Sequence, residues 1–212
     1  MQAVKNIIKK TFIYPLWYNY NRQRSAKKII TEWINNGRPV PPPQVYKRIE
    51  IKKYALGYKL NVFVETGTYL GETLDSCKNI FGKLISVELD DQLYKAAKIK
   101  FAGNKNISIY KGDSGVVFQH ILPEIHEPCL FWLDGHYSAG ITAKGELNTP
   151  IIAELTHILN HKVDSHVILI DDARCFTGDD DYPALEVLEK FIKQRDPKLK
   201  FEVKDDIIRI NR

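Results

Sequence analysis

The sequence reads as an α/β protein: a mostly parallel sheet with helices on both faces, finished by an antiparallel hairpin. Three observations carry this. Five short apolar runs, VFVET (62–66), LISVEL (84–89), ISIY (107–110), CLFWLD (129–134) and HVILID (166–171), are each too short for a helix and lack strict alternation. Such runs are strands buried on both faces. Segments with helical spacing, such as DDQLYKAAKIKFAG and TPIIAELTHILNHK, lie between them, and strands alternating with helices build a parallel sheet. After the helix PALEVLEKFIKQRD, the segment KFEVKDDIIRIN splits into two apolar runs joined by Lys204, Asp205 and Asp206, a hairpin signal.

Each element has a local reason. Thr149 before Pro150 is an expected N-cap with proline at the first helical position. GRPVPPPQ, residues 37–44, is a stiff turn whose prolines forbid a continuing helix. At 212 residues and 44% apolar content the chain fits one domain with an appendage and fills a real core. It has no run of eighteen apolar residues and no secretory h-region, so a cytoplasmic location is expected. Cys77, Cys129 and Cys175 are far apart and in no C-x-x-C pair, which suggests buried thiols and neither a disulfide framework nor a zinc site.

Charge is unevenly spread. Residues 1–60 hold thirteen Lys and Arg against Glu32 and Glu50, a net of +11, which leaves 61–212 at −6. The expected organisation is a basic, aromatic, helical arm or cap over 1–60 and a sheet domain over 61–212. The arm, with KNIIKKTFIYPLWYNY at its start, has the composition of an interfacial membrane segment, which would place residues 1–30 at the inner face of a membrane. Pro15 interrupts any single amphipathic face, so the preferred reading packs its aromatics on the sheet domain or on a second subunit, as in a homodimer. A nucleic-acid partner is disfavoured because the acidic half would repel a polyanion.

The strand ends carry the chemistry. They finish in Glu65, Glu88, Asp113, Asp134 and the pair Asp171 and Asp172. In an open parallel sheet, ligands bind outside the carboxyl ends of the strands, near the point where strand order reverses. Carboxylates also cap turns and helices, but five acidic ends in succession line one edge. The first strand leads into VETGTYLGETL, where Gly67 permits a tight turn and Gly71 lets the next helix pack closely. Glu88 follows Glu65 by twenty-three residues, about the spacing at which an acid reaches ribose hydroxyls in nucleotide-binding folds. The loop is E-x-G-x-x-x-G, not G-x-G-x-x-G, which argues against a pyrophosphate over the helix N-terminus.

Together, VETGTYLGETL, SVELD, KGDS (111–114) and the final hairpin resemble the class I S-adenosylmethionine-dependent methyltransferases, over about residues 60–212. The resemblance implies a Rossmann-like, seven-stranded sheet with its last pair antiparallel. It implies that Glu65, Gly67 and Gly71 hold the methionine end of S-adenosylmethionine, that Glu88 takes the ribose hydroxyls, and that Asp113 and Ser114 lie beside the adenine. FWLDGHYS followed by VILIDDA is similar to the branch of sugar and small-molecule O-methyltransferases that use a divalent cation. That likeness implies Asp134, Asp171 and Asp172 as ligands of a cation such as Mg²⁺. His136, two residues beyond Asp134, is the residue read as taking the acceptor's proton, so Asp134 and His136 are the expected catalytic residues. Carboxylates suit a hard cation, and a histidine suits proton removal. The acceptor implied is a sugar, a glycan or another small hydroxylated molecule.

Other readings stand beside this one. Asp134 caps a turn and His136 is a loop histidine in the plain alternative. A nicotinamide-dependent oxidoreductase is a second enzyme reading, and a non-catalytic methyltransferase-like protein docking on membrane or RNA through its arm is a third. GDDDY (178–182) reads as an exposed acidic turn, and AGITAKGELN, residues 139–148, as a surface loop or a lid.

Overall fold

The computed structural model describes residues 14–135 and 149–212, with side chains from Arg24 onward. The chain divides into two compact units, Met1–Lys47 and Arg48–Arg212. The first unit contains α1 (Tyr14–Asn35) and the start of α2 (Gln44–Gly57). Helix α1 ends where Gly37 takes φ +80°, a conformation cheap only for glycine. Trp33 organises this unit: it is buried, its Nε1 donates to Pro39 O at 2.8 Å, and its ring lies 4.6 Å from that of Tyr46. Residues 1–13 of the segment read as a membrane or packing arm lie outside the described residues. Among those described, no helix is long and apolar enough to cross a membrane.

The second unit is a seven-stranded sheet. Its elements are β1 (Val62–Thr66), α3 (Glu72–Cys77), β2 (Lys83–Glu88), α4 (Asp91–Lys100), β3 (Ile107–Lys111), α5 (Ser114–Ile121), β4 (Cys129–Leu133), α6 (Ile151–Leu159), β5 (Val167–Ile170), α7 (Leu185–Arg195), β6 (Lys200–Lys204) and β7 (Ile207–Asn211). The strand order is β3-β2-β1-β4-β5-β7-β6, with β7 antiparallel to both its neighbours and the other pairs parallel. Order reverses between β1 and β4, the switch point where a ligand crevice forms.

Alternating side chains split the core into two layers. Val62, Val64, Ile85, Val87, Phe131, Leu133, Ile168 and Ile170 join Phe118, Leu155 and Leu188 from α5, α6 and α7. Phe63 points the other way, with its ring 5.1 Å from that of Phe81. On β7, Arg209 is 2% exposed, and its Nη2 donates to Glu50 Oε2 on α2 at 2.9 Å. Its Nη1 donates to Lys204 O and Ile207 O, so this charge is both paired and hydrogen-bonded, as burial demands.

Two helix starts carry side-chain caps. Asp90 accepts from Gln92 N and Leu93 N ahead of α4, and Asp113 accepts from Gly115 N at the start of α5. Helix α6 begins at Ile151 with Pro150 at its N-cap, one residue later than the expected Thr149 cap; Thr149 Oγ1 still accepts from Ile151 N at 3.3 Å. The β6–β7 turn is Asp205–Asp206, both with positive φ (48° and 62°), the two-residue form whose twist matches paired strands. Cys77 and Cys129 are buried and Cys175 is half-buried, all as free thiols.

Candidate active site

The parallel ladder continues one step beyond each strand, and this aligns the acids. Gly67 N donates to Val87 O, Gly112 N to Glu88 O, Asp134 N to Thr66 O and Asp171 N to Leu133 O. Each loop therefore leaves its strand at the same level.

On the β1–β3 side, Glu88 is buried and has both oxygens engaged: Oε2 accepts from Tyr69 N at 2.8 Å and Oε1 from Asp90 N at 2.9 Å. Burial raises its pKa and the two backbone N–H groups pull against that shift. Each oxygen retains a second lone pair, the acceptor set that a pair of ribose hydroxyls needs. Because Tyr69 belongs to the loop after β1, Glu88 also fixes that loop's shape. Lys100 Nζ holds the same loop from outside, donating to Leu70 O at 2.7 Å and Gly71 O at 3.1 Å.

Two glycines of the loop are required sterically. Gly67 has φ +79°, and a Cβ there would stand 2.3 Å from Asp134 O; Gly71 has φ +65°, and a Cβ would stand 2.6 Å from the Phe101 ring. Gly67 thus brings the loop after β1 against the backbone after β4, across the switch point.

Glu65 lies deeper than the others. It is 1% exposed, faces its ladder partner Ser86, and accepts from Ser86 Oγ at 2.9 Å; Ser86 Oγ lies 2.6 Å from Thr68 Oγ1. Burial pushes its pKa up to about 8, helped by the Asp134 and Glu88 charges and opposed by the Ser86 bond. Asp113 is an N-cap, and Ser114 Oγ donates to Glu154 Oε1 at 2.5 Å.

On the β4–β5 side, one carboxylate oxygen from each of Asp134, Asp171 and Asp172 falls within 4.8 Å of the others. Asp171 is 2% exposed and its Oδ1 accepts from Asp172 N at 2.9 Å. Asp172 sits in the left-handed region, φ 54°, which an aspartate visits more readily than most residues. The donor set fits a hard divalent cation: three carboxylate oxygens close enough that small side-chain rotations reach the roughly 2.0–2.6 Å ligand distances of Mg²⁺ or Ca²⁺. Among the described residues this is the only such group.

Glu65 and Glu88 thus lie on one side of the switch point and Asp134, Asp171 and Asp172 on the other, while Asp113 caps α5 and Ser114 bonds to Glu154. Asp179, Asp180 and Asp181 are exposed. His136 and the lid segment lie outside the described residues. The other histidines serve elsewhere: His157 Nε2 lies 2.9 Å from Gly115 O, and His166 takes the Cys129 N–H on Nδ1 and faces His161 through Nε2.

Glu154 was not among the expected site residues. It is 1% exposed and lines the cleft at the ends of β4 and β5 with Gly135, Thr149, Asp171, Phe176 and Tyr182. It sits on the stripe Ile151, Glu154, Leu155, Ile158, so an acid on the apolar face of α6 was its signal.

Neither a protein-family model nor a curated protein matches this sequence. Solved structures do. The O-methyltransferase from Bacillus cereus in complex with SAH aligns with a TM-score of 0.59 over 89% of this chain and 91% of that one, at 12% identity. The chain has the class I methyltransferase fold. The SAH-bound methyltransferase PaMTH1 of Podospora anserina aligns with this methyltransferase fold at a TM-score of 0.56 and 16% identity, over 92% and 94% of the two chains. TomG of Streptomyces achromogenes, an O-methyltransferase in complex with SAM, does so at 0.55 and 13%, over 87% of each. At these identities the likeness is one of fold, and the Rossmann-like, seven-stranded sheet with its antiparallel end is the arrangement that the family resemblance implied.

Proposed function

We propose that this protein is an S-adenosylmethionine-dependent O-methyltransferase, acting with a divalent cation on a sugar, a glycan or another small hydroxylated acceptor. The observation that carries the reading is the pairing of two acidic clusters across one switch point. Glu88, wired to the glycine loop, suits ribose hydroxyls; Asp134, Asp171 and Asp172 suit a hard cation beside an acceptor. The three neighbours crystallised with SAH or SAM support the cofactor, and two of them are O-methyltransferases.

S-adenosylmethionine supplies an electrophilic sulfonium methyl, and a bound cation makes an acceptor hydroxyl more acidic. The chain's residues do the rest. Glu88 and the Gly67–Gly71 loop orient the cofactor, Asp113 and Ser114 border its base, and Asp134 lies where the two clusters meet. Positioning of this kind supplies much of the rate in a two-substrate transfer.

Titration calorimetry with S-adenosylhomocysteine tests the cofactor half. The intact protein is expected to bind, and Glu88→Gln to bind about 10–100-fold more weakly, the value of a charge-assisted hydrogen-bond pair. No binding by the intact protein would remove the assignment. Thermal protection by NAD⁺ with none from S-adenosylhomocysteine would restore the nicotinamide reading. For the cation half, Asp171→Asn is expected to lose Mn²⁺ binding and methyl transfer together, and full transfer in excess chelator would rule that half out.

A further inference from the structure

We infer that Arg174 is a built-in competitor for the cation at Asp172, and that Asp206 is the station to which it retreats. The inference rests on the cation reading of the Asp134, Asp171 and Asp172 cluster. Arg174 Nη1 donates to Asp172 Oδ1 at 2.8 Å and also to Asp206 Oδ2. The backbone N of Arg174 donates to Asp206 Oδ1 at 2.8 Å, and Ala173 N donates to Asp206 O at 2.9 Å. The β6–β7 turn therefore grips the segment after β5 through three kinds of contact, with the guanidinium bridging between turn and cluster.

The bridge has a tight end and a loose end. The Asp206 side chain is 1% exposed and that of Asp172 14%, while the Arg174 side chain is 39% exposed. Asp206 is a fixed, desolvated carboxylate; Asp172 is the rim partner. Three carboxylates so close together repel one another unless a positive charge is present, and Arg174 supplies it from within the chain. A divalent cation arriving at Asp172 meets that guanidinium at contact range and is repelled by it. Arg174 can give up Asp172 without losing its charge partner, because Asp206 and the backbone bond stay in place. The result is an exchange of partners at Asp172, with Arg174 setting how tightly the cation is held.

The test is Mn²⁺ affinity of the full chain, read by calorimetry and by the frequency of free Mn²⁺ in electron paramagnetic resonance, so that no turnover is needed. Arg174→Gln is expected to bind Mn²⁺ roughly two- to fivefold more tightly than wild type, as removal of one partly exposed competing ion pair permits. The gain should persist in about 0.5 M KCl, because contact pairs are screened far less than distant charges. Arg174→Gln should also melt lower than wild type in chelator and gain more on Mn²⁺ saturation.

Asp206→Asn, which leaves Arg174 to Asp172 alone, is expected to weaken Mn²⁺ binding. In the double variant that loss should largely vanish, because Asp206 acts through Arg174. Equal or weaker Mn²⁺ binding in Arg174→Gln, beside measurable binding in wild type, overturns the inference and leaves the cation site standing. Absence of binding in wild type and in Arg174→Gln alike removes both. If Arg174→Gln does not fold, Asp206→Asn still decides: affinity equal to wild type or above it overturns the competitor role.

Discussion

Replacing Glu65 by glutamine is expected to remove a pH-dependent weakness from the fold. The folded carboxyl is held at about 8 by burial, against about 4.3 in an unfolded chain. Between those values the folded state keeps a proton that the unfolded state has released, so stability falls as pH rises through the window. The full cost is on the order of 4–5 kcal/mol above pH 8, and it is absent below the unfolded value. Glutamine has no titration and its carbonyl still accepts from Ser86 Oγ. Urea midpoints of the two proteins at pH 5, 7 and 9 should therefore diverge, with the variant gaining most at pH 9. Parallel curves across that range would show that Glu65 does not hold its proton in the fold.

Gly67→Ala is expected to be the most damaging small substitution in the glycine loop. The added methyl would meet Asp134 O at 2.3 Å and Asp134 C at 3.0 Å, both backbone atoms, at φ +79°. Neither can move without pulling β4 from its level, so a cost of about 2–4 kcal/mol is expected, with at least a tenfold loss of S-adenosylhomocysteine affinity. Gly178→Ala is the matched control: φ is +97°, but the nearest atom is 3.7 Å away. It should lose about 1 kcal/mol, the backbone term alone. Equal melting temperatures for the two variants would mean that the contact with Asp134 yields at little cost.

The parts of this structure legible in the sequence are those set by local chemistry. Runs such as VFVET and HVILID announce their strands because both faces of a parallel strand are buried, and Asp205–Asp206 announces its turn because both residues tolerate positive φ. The same uniform burial hides direction. All five residues of β1 are buried, so nothing in the run shows that Glu65 points at Ser86 inside the sheet instead of out at the edge. Strand order is likewise silent, because the placing of β7 between β5 and β6 depends on contacts distant along the chain. The part Arg174 plays is hidden for the same reason, because its partner Asp206 lies 32 residues away. Glu154 is legible as a charge on an otherwise apolar helical stripe.

The position of β7 has a consequence for the chain before it is fully folded. Strand β5 is VILI, with every residue buried, and it becomes an inner strand only when Ile208–Ile210 pair with it. Until then its free edge is a short, uncharged, apolar template for other chains, the kind of edge that promotes aggregation. The hairpin whose turn grips Arg174 therefore also shields the stickiest strand of the sheet, so a lesion in that turn would appear first as insoluble protein and only afterwards as a weakened site.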